Sequence, residues 1–220
     1  MLLWSRDQRR FAAEVCNNPS VKIDDLVRRQ HELQSEAADL RADLALDGVL
    51  ARHGRVTGVG SAALGLMVWR DLDLTVVCPT LDTRGVAQTG ALLAVHGQMR
   101  EVCFRNDTGD WNADPRYPDG LYLGLRVRSR TGQRWKIDIW FVDEPDRQPD
   151  LAHVRDLPTR LTEETRAAIL LVKDAWAGRP EYGIGVSSWD IYAAVLDDGV
   201  RTPDDFEEWT RRRHTAPTSK

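Results

Sequence analysis

The chain has 220 residues, carries a formal net charge of −4, and is 42% hydrophobic and 29% charged. That size suits one domain, or one domain with a small helical subdomain, in an ordinary soluble globule. The acidic balance provides no global positive field for a long nucleic acid. The three cysteines, Cys16, Cys78 and Cys103, are odd in number and far apart, with no CxxC, so neither a disulfide framework nor a zinc site is indicated. The opening MLLWSRDQRR has too short an apolar run for a signal peptide, and no stretch of about 18 apolar residues offers a membrane span. A cytoplasmic location without membrane contact is therefore expected. Lysine is confined to positions 22, 136, 173 and 220 against many arginines, a bias that points to a GC-rich bacterial source.

Residues 1–20 show no period. Over 21–50, Leu26, Leu33, Leu40 and Leu44 recur at near-heptad spacing after Asp24 and Asp25, which predicts a helix. It should pack on a sheet, since three heptads are few for a dimerising coiled coil. Gly48 and Gly54 are expected to break it. The stretch 57–77, TGVGSAALGLMVWRDLDLTVV, reads as a short strand, a Gly-Ser turn, a brief helix, and a strand carrying Asp71 and Asp73. Residues two apart on a strand share a face, so both carboxylates point one way. Such a pair repels unless a cation lies between, most simply Mg²⁺. Gly60 lets backbone approach a ligand closely, and Ser61 places a hydroxyl and an amide at a helix start, where phosphate binds well.

Pro79 ends that strand. A second helix is expected over 83–99, capped by Thr83, with Val86, Leu92, Leu93 and Val95 as its stripe. A strand opens at 102–104. The segment 107–120, DTGDWNADPRYPDG, is a loop of turn-forming residues, placed either at the rim of a binding cleft or as a solvated excursion. Residues 121–128 and 134–142 alternate as paired strands around the Thr131-Gly132 turn. Ile137, Ile139 and Phe141 face the core, leaving Lys136, Asp138 and Trp140 on the opposite face. Residues 143–150 read as a polar linker. Helices follow after Thr162, from Ser187 to Leu196 and ending at Gly199, and from Pro203 to about Arg212, before a disordered tail.

Gly60-Ser61, nine residues, then Asp71-Leu72-Asp73-Leu74 resembles the signature of the DNA polymerase β-like nucleotidyltransferase superfamily, which also needs a third carboxylate on a later strand; Asp138 fits. A second likeness lies in Leu171-Val172-Lys173-Asp174-Ala175-Trp176 and Gly185-Val186-Ser187-Ser188-Trp189-Asp190-Ile191-Tyr192. These are similar to the helical subdomain of template-independent members such as poly(A) polymerases and oligoadenylate synthetases, though Trp189 stands where Tyr is commoner. The resemblance implies an α/β fold with a mixed central sheet, flanking helices and a helical C-terminal subdomain. Its divisions fall at 1–50 for an N-terminal helical segment, 51–145 for the catalytic domain, 150–213 for the helical subdomain and 214–220 for the tail.

The activity it implies is transfer of an NMP from an NTP, with ATP favoured, to a hydroxyl acceptor with release of pyrophosphate. Asp71, Asp73 and Asp138 would be catalytic and would hold two Mg²⁺ or Mn²⁺ ions. Gly60, Ser61, Lys173, Ser187 and Ser188 would bind the nucleotide. From the residues alone, Lys173 also reads as a surface lysine with a snorkelling stem, and Ser187-Ser188 as a plain helix cap. The acidic charge favours a small-molecule acceptor over tRNA or a protein. Gly58-x-Gly60-x-x-Ala63 loosely fits a dinucleotide fingerprint, but the hairpin downstream does not suit that fold. No Gly-Lys-Ser/Thr P-loop, HxxxH zinc motif or Gly-x-Ser-x-Gly elbow is present. The remaining alternative is a non-catalytic nucleotide-binding or interaction protein on the same fold.

Overall fold

The computed structural model describes residues 19–114 and 116–215. The expectations for residues 1–18 and for the tail beyond 215 lie outside the described residues. The chain divides into two compact units, Glu32–Thr159 and Met1–His31 with Arg160–Lys220. Helix α1, Pro19–Asp43, contributes residues to both.

In the unit Glu32–Thr159, short helix α2, Leu46–Leu50, leads into five strands. They are β1 (Arg55–Val59), β2 (Asp71–Val77), β3 (Met99–Asp107), β4 (Gly120–Arg128) and β5 (Arg134–Val142), in the spatial order β1-β2-β5-β4-β3. The sheet is mixed: β2 runs parallel to β5 and every other pairing is antiparallel. Between β1 and β2 lies α3, Gly60–Leu64; α4, Thr83–Ala94, follows β2, and α5, Pro149–Asp156, follows β5.

The period-two pattern divides the sheet. Leu72, Leu74 and Val76 of β2, Leu121, Leu123 and Leu125 of β4, and Ile137, Ile139 and Phe141 of β5 are buried in one apolar cluster. Leu33 and Leu40 of α1 join them, with Leu44 just beyond it, Leu46 and Leu50 of α2, and Val86 and Leu93 of α4. The leucine repeat of α1 is thus filled within the chain, as a packing helix requires, at roughly 1.5–3 kcal/mol for each fully buried leucine. The intervening residues of β2, β4 and β5 carry the polar groups of the opposite face.

Several local expectations are corrected. The long helix breaks at Ala45, which has a left-handed backbone (φ 49°), while Gly48 sits inside α2. Helix α4 stops at Ala94 and its cap is Asp82, whose side chain accepts from the Gly85 amide at 3.0 Å, not Thr83. Val86 and Leu93 are buried, but Leu92 and Val95 are exposed, so its stripe is narrower than the sequence suggests. Strand β3 begins at Met99, earlier than expected. The linker over 143–150 holds a 3₁₀ turn, Pro145–Arg147, and the start of α5.

The second unit holds α6 (Glu163–Trp176), α7 (Ser188–Leu196) and α8 (Pro203–Thr215). Thr162 caps α6 in a reciprocal box with Thr165, and Ser187 caps α7 in one with Asp190. Ile169, Val172, Ile191 and Phe206 are wholly buried, and Trp176 meets Phe206 edge-on at 5.0 Å between ring centres. Among the described residues no helix is long and apolar enough to cross a membrane.

The break at Ala45 generates a stability prediction. A left-handed non-glycine backbone costs about 1–2 kcal/mol, part of which glycine would return as lost unfolded-chain entropy. A methyl at Gly48 would meet nothing within 4 Å. Ala45→Gly and Gly48→Ala should therefore each raise stability, by roughly 0.5–1 kcal/mol, read from urea midpoints. A loss in Ala45→Gly would contradict the assigned break.

Candidate active site

The site grows from one register. Parallel pairing sets Asp73 of β2 opposite Asp138 of β5 and Asp71 opposite Lys136. Because side chains two apart share a face, all four stand on the side of the sheet away from the apolar cluster. Oxygen atoms of Asp71, Asp73 and Asp138 lie within 4.8 Å of one another. The sequence-derived triad is thus assembled in space.

The turn before α3 closes against it. Val59, the last residue of β1, pairs with Asp73. Gly60 has φ +63°, and a Cβ there would collide with the Asp73 carboxylate. Both the backbone angle and the close approach require glycine. Ser61 is buried at the start of α3, where Val59 supplies no side-chain cap.

Electrostatics follow from this crowding. Burial pushes the Asp73 pKa well above its ordinary value; the charges of Asp71 and Asp138 add to the rise, Lys136 opposes it, and Asp150 adds further. Lys136 donates to Asp138 Oδ2, and its Nζ lies 3.8 Å from Asp71 Oδ1. Burial alone would lower the Lys136 pKa, but Asp71, Asp138 and Asp73 outweigh it and raise the value. The Tyr122 hydroxyl donates to Asp138 Oδ1 at 2.7 Å, so each Asp138 oxygen already accepts one hydrogen bond. Gly124 makes that contact possible: a Cβ there would strike the Tyr122 hydroxyl. Burial raises the Tyr122 pKa, as do its hydrogen bond to Asp138 and that carboxylate's charge. Beside Tyr122, Trp140 lies 5.1 Å away between ring centres, and the Arg105 guanidinium stands 4.7 Å from the Tyr122 ring centre.

An all-oxygen set of three close carboxylates, one of them held against ionisation by burial and its neighbours, fits a hard divalent cation such as Mg²⁺ or Mn²⁺.

Lys136, Tyr122, Gly124 and Asp150 are additions to the sequence reading. Lys136 had a visible signal, sitting two residues before Asp138 on the same strand face. Tyr122 lay on the polar side of its alternating strand, but its reach to Asp138 depends on the missing side chain at Gly124. Asp150 had none, because it was read as the last residue of a polar linker.

The other expected nucleotide residues belong to the second unit. Lys173 is wholly buried, with Nζ 3.3 Å from the Tyr192 hydroxyl and 5.5 Å from its ring centre. That corrects the reading of a surface lysine. The Ser187 hydroxyl is engaged in its capping box, donating to Asp190 at 2.7 Å, and the Ser188 hydroxyl lies 2.6 Å from that of Tyr182. Between β3 and β4 the described residues form the expected loop, but Asp107 and Gly120 belong to the strands; the loop holds a 3₁₀ turn at Gly109–Trp111, with Asp119 accepting from Gly109 and Asn112.

No protein-family model matches the chain, and no curated protein matches it. Solved structures do. A cytoplasmic RNA terminal U-transferase aligns with TM-score 0.53 and 21% identity over 79% of this chain and 54% of its own. Cid1, an RNA terminal uridylyl transferase, aligns with TM-score 0.54 and 20% identity over 79% of this chain and 52% of its own. Cid1 poly(U) polymerase bound to MgATP aligns with TM-score 0.52 and 19% identity over 78% and 55%. The chain spans about half the length of these structures. At such identities the likeness shows the fold: a nucleotidyltransferase fold, with the mixed sheet and C-terminal helices expected from the sequence.

The contact of Gly60 with Asp73 yields a coupled prediction. Gly60→Ala should destabilise the protein by about 1–2 kcal/mol for its left-handed backbone, with a further cost for displacing the carboxylate. In an Asp73→Ala background the further cost should vanish. Denaturant midpoints of the two single variants and the double variant measure that coupling; strictly additive losses would show that the two residues do not press on each other.

Proposed function

We propose that this protein is a metal-dependent nucleotidyltransferase that moves an NMP from an NTP to a hydroxyl acceptor and releases pyrophosphate. The observation that carries the reading is the convergence of Asp71, Asp73 and Asp138 within 4.8 Å, closed on one side by the Gly60 turn. The fold it shares with RNA terminal uridylyl transferases supports it.

Asp71, Asp73 and Asp138 would hold Mg²⁺ or Mn²⁺, which when bound neutralises phosphate charge and polarises the phosphoryl oxygens. The resemblance implies two such ions. The backbone at Gly60 and the hydroxyl and amide of Ser61 would meet the phosphate oxygens, as the resemblance implies. Asp138 is the base: as the acceptor oxygen attacks the α-phosphorus and the bond to pyrophosphate breaks, the acceptor proton passes to an Asp138 oxygen. Tyr122 and Lys136 fix the orientation of that carboxylate through their hydrogen bonds.

The nucleotide is an NTP, as for Cid1, whose structures hold MgATP and MgGTP. The acceptor is a small hydroxyl compound, in keeping with the net charge of −4. Lys173, Ser187 and Ser188 are proposed as nucleotide residues on sequence resemblance. The enclosure of Lys173 makes direct phosphate contact conditional on its release from Tyr192.

Incubation with each labelled NTP and Mg²⁺ or Mn²⁺, alone and with cell extract, should yield a labelled product and stoichiometric pyrophosphate. Asp73→Asn should lower the rate on the order of 10²-fold or more, since a ligand lost from a transition-state metal site costs several kcal/mol. Without metal the apo Asp73→Asn protein should melt no lower than wild type, because a repelling buried carboxylate is removed. Wild-type turnover in Asp73→Asn would contradict the reading, and nucleotide binding without turnover under every condition would favour the non-catalytic alternative.

A further inference from the structure

The sequence reading places Lys136 on the face of Asp138 but gives it no role. It stands on β5 opposite Asp71 and two residues before Asp138, on the face that carries the three carboxylates. Its ammonium donates to Asp138 Oδ2 and lies 3.8 Å from Asp71 Oδ1, so it bridges two members of the triad. The side chain is only 28% exposed, and Asp71 and Asp138 are 20% and 16% exposed, so solvent screens this cluster poorly. The second Asp138 oxygen accepts from Tyr122. The protein has therefore already supplied Asp138 with donors on both oxygens, and supplied the gap between Asp71 and Asp138 with a positive charge.

We propose that Lys136 is a tethered cation standing in one of the two cation positions of the triad, between Asp71 and Asp138, so that the protein takes up one divalent ion rather than two. This rests on the reading of the triad as a metal site. Once an arriving cation has displaced the proton that burial favours on Asp73, three carboxylates with one ammonium leave two net negative charges, which a single divalent cation cancels. A second divalent cation placed against the ammonium would meet a like charge within about 4 Å, a repulsion of some kcal/mol at an effective dielectric constant near 20. The tether also explains how three crowded acids remain together without metal: an ammonium is covalently present at the register position facing them. On this assignment Asp71 and Asp73 are the carboxylates that receive the ion accompanying the triphosphate. Asp138 then makes one of its cation contacts through the Lys136 ammonium, with Tyr122 on its other oxygen.

The test counts ions. Full-length wild type, Lys136→Gln, Lys136→Met and Asp73→Asn are titrated with MnCl₂ and free Mn²⁺ is followed by electron paramagnetic resonance; the same proteins are melted in EDTA and in Mn²⁺. Wild type should bind one Mn²⁺ per chain. Lys136→Gln and Lys136→Met should bind two, the first at least 10-fold more tightly than in wild type. Both variants should melt lower than wild type in EDTA and recover in Mn²⁺. If they fold only with Mn²⁺, the cation is replacing the ammonium and the proposal stands; if Mn²⁺ does not restore a cooperative melt, Lys136 is a purely structural residue and the proposal falls. Equal stoichiometry and affinity in wild type and the Lys136 variants, with binding lost in Asp73→Asn, would overturn the role of Lys136 and leave the metal site intact. Absence of Mn²⁺ binding in every protein would overturn the metal site and this proposal together.

Discussion

Parallel pairing of β2 with β5 is the constraint on which the molecule's candidate chemistry depends. That register places Asp73 beside Asp138 and Asp71 beside Lys136, while the same alternation sends Leu72, Leu74, Ile137, Ile139 and Phe141 into the apolar cluster. A slip of one residue would exchange the two faces, bury the carboxylates and expose the core. The hydrophobic gain on one face thus fixes the geometry of repelling charges on the other. No separate force is needed to bring the acids together; the core imposes it.

Around that register the surroundings are arranged by missing side chains as much as by those present. Gly60 allows the chain to turn against Asp73, and Gly124 leaves the space through which Tyr122 reaches Asp138. The Asp73 carboxylate is crowded into a state that resists ionisation, while Lys136 offsets part of the charge from within. The site therefore holds both an unmet demand for positive charge and a partial internal answer to it.

Much of this was legible in the sequence where the signal is local. The period-two runs at 71–77 and 134–142 show which residues face the core, and the capping of α6 and α7 follows from Thr162 and Ser187 with the residue three positions on. The likeness to nucleotidyltransferases supplied the third acid, which lies far along the chain and which local patterns do not connect to Asp71 and Asp73. Other features left no readable mark. Ala45 breaks a helix although alanine is its best former, because the apolar demand of Leu44 and Leu46 overrides propensity. Lys173 is wholly buried although lysine is the usual surface residue, its ammonium set against Tyr192. For Lys136 the sequence shows a shared strand face with Asp138, and only the register adds Asp71 across from it.

The central claim is that the three carboxylates are a cation site that receives a nucleoside triphosphate. It is tested most directly by anomalous diffraction from crystals of the wild-type protein grown with Mn²⁺ and a non-hydrolysable triphosphate. The account predicts a manganese peak within coordination distance of Asp71 and Asp73, with phosphate density continuing toward the Gly60 turn. Manganese and triphosphate ordered elsewhere on the protein, with the carboxylates bound only to Lys136 and Tyr122, would contradict it.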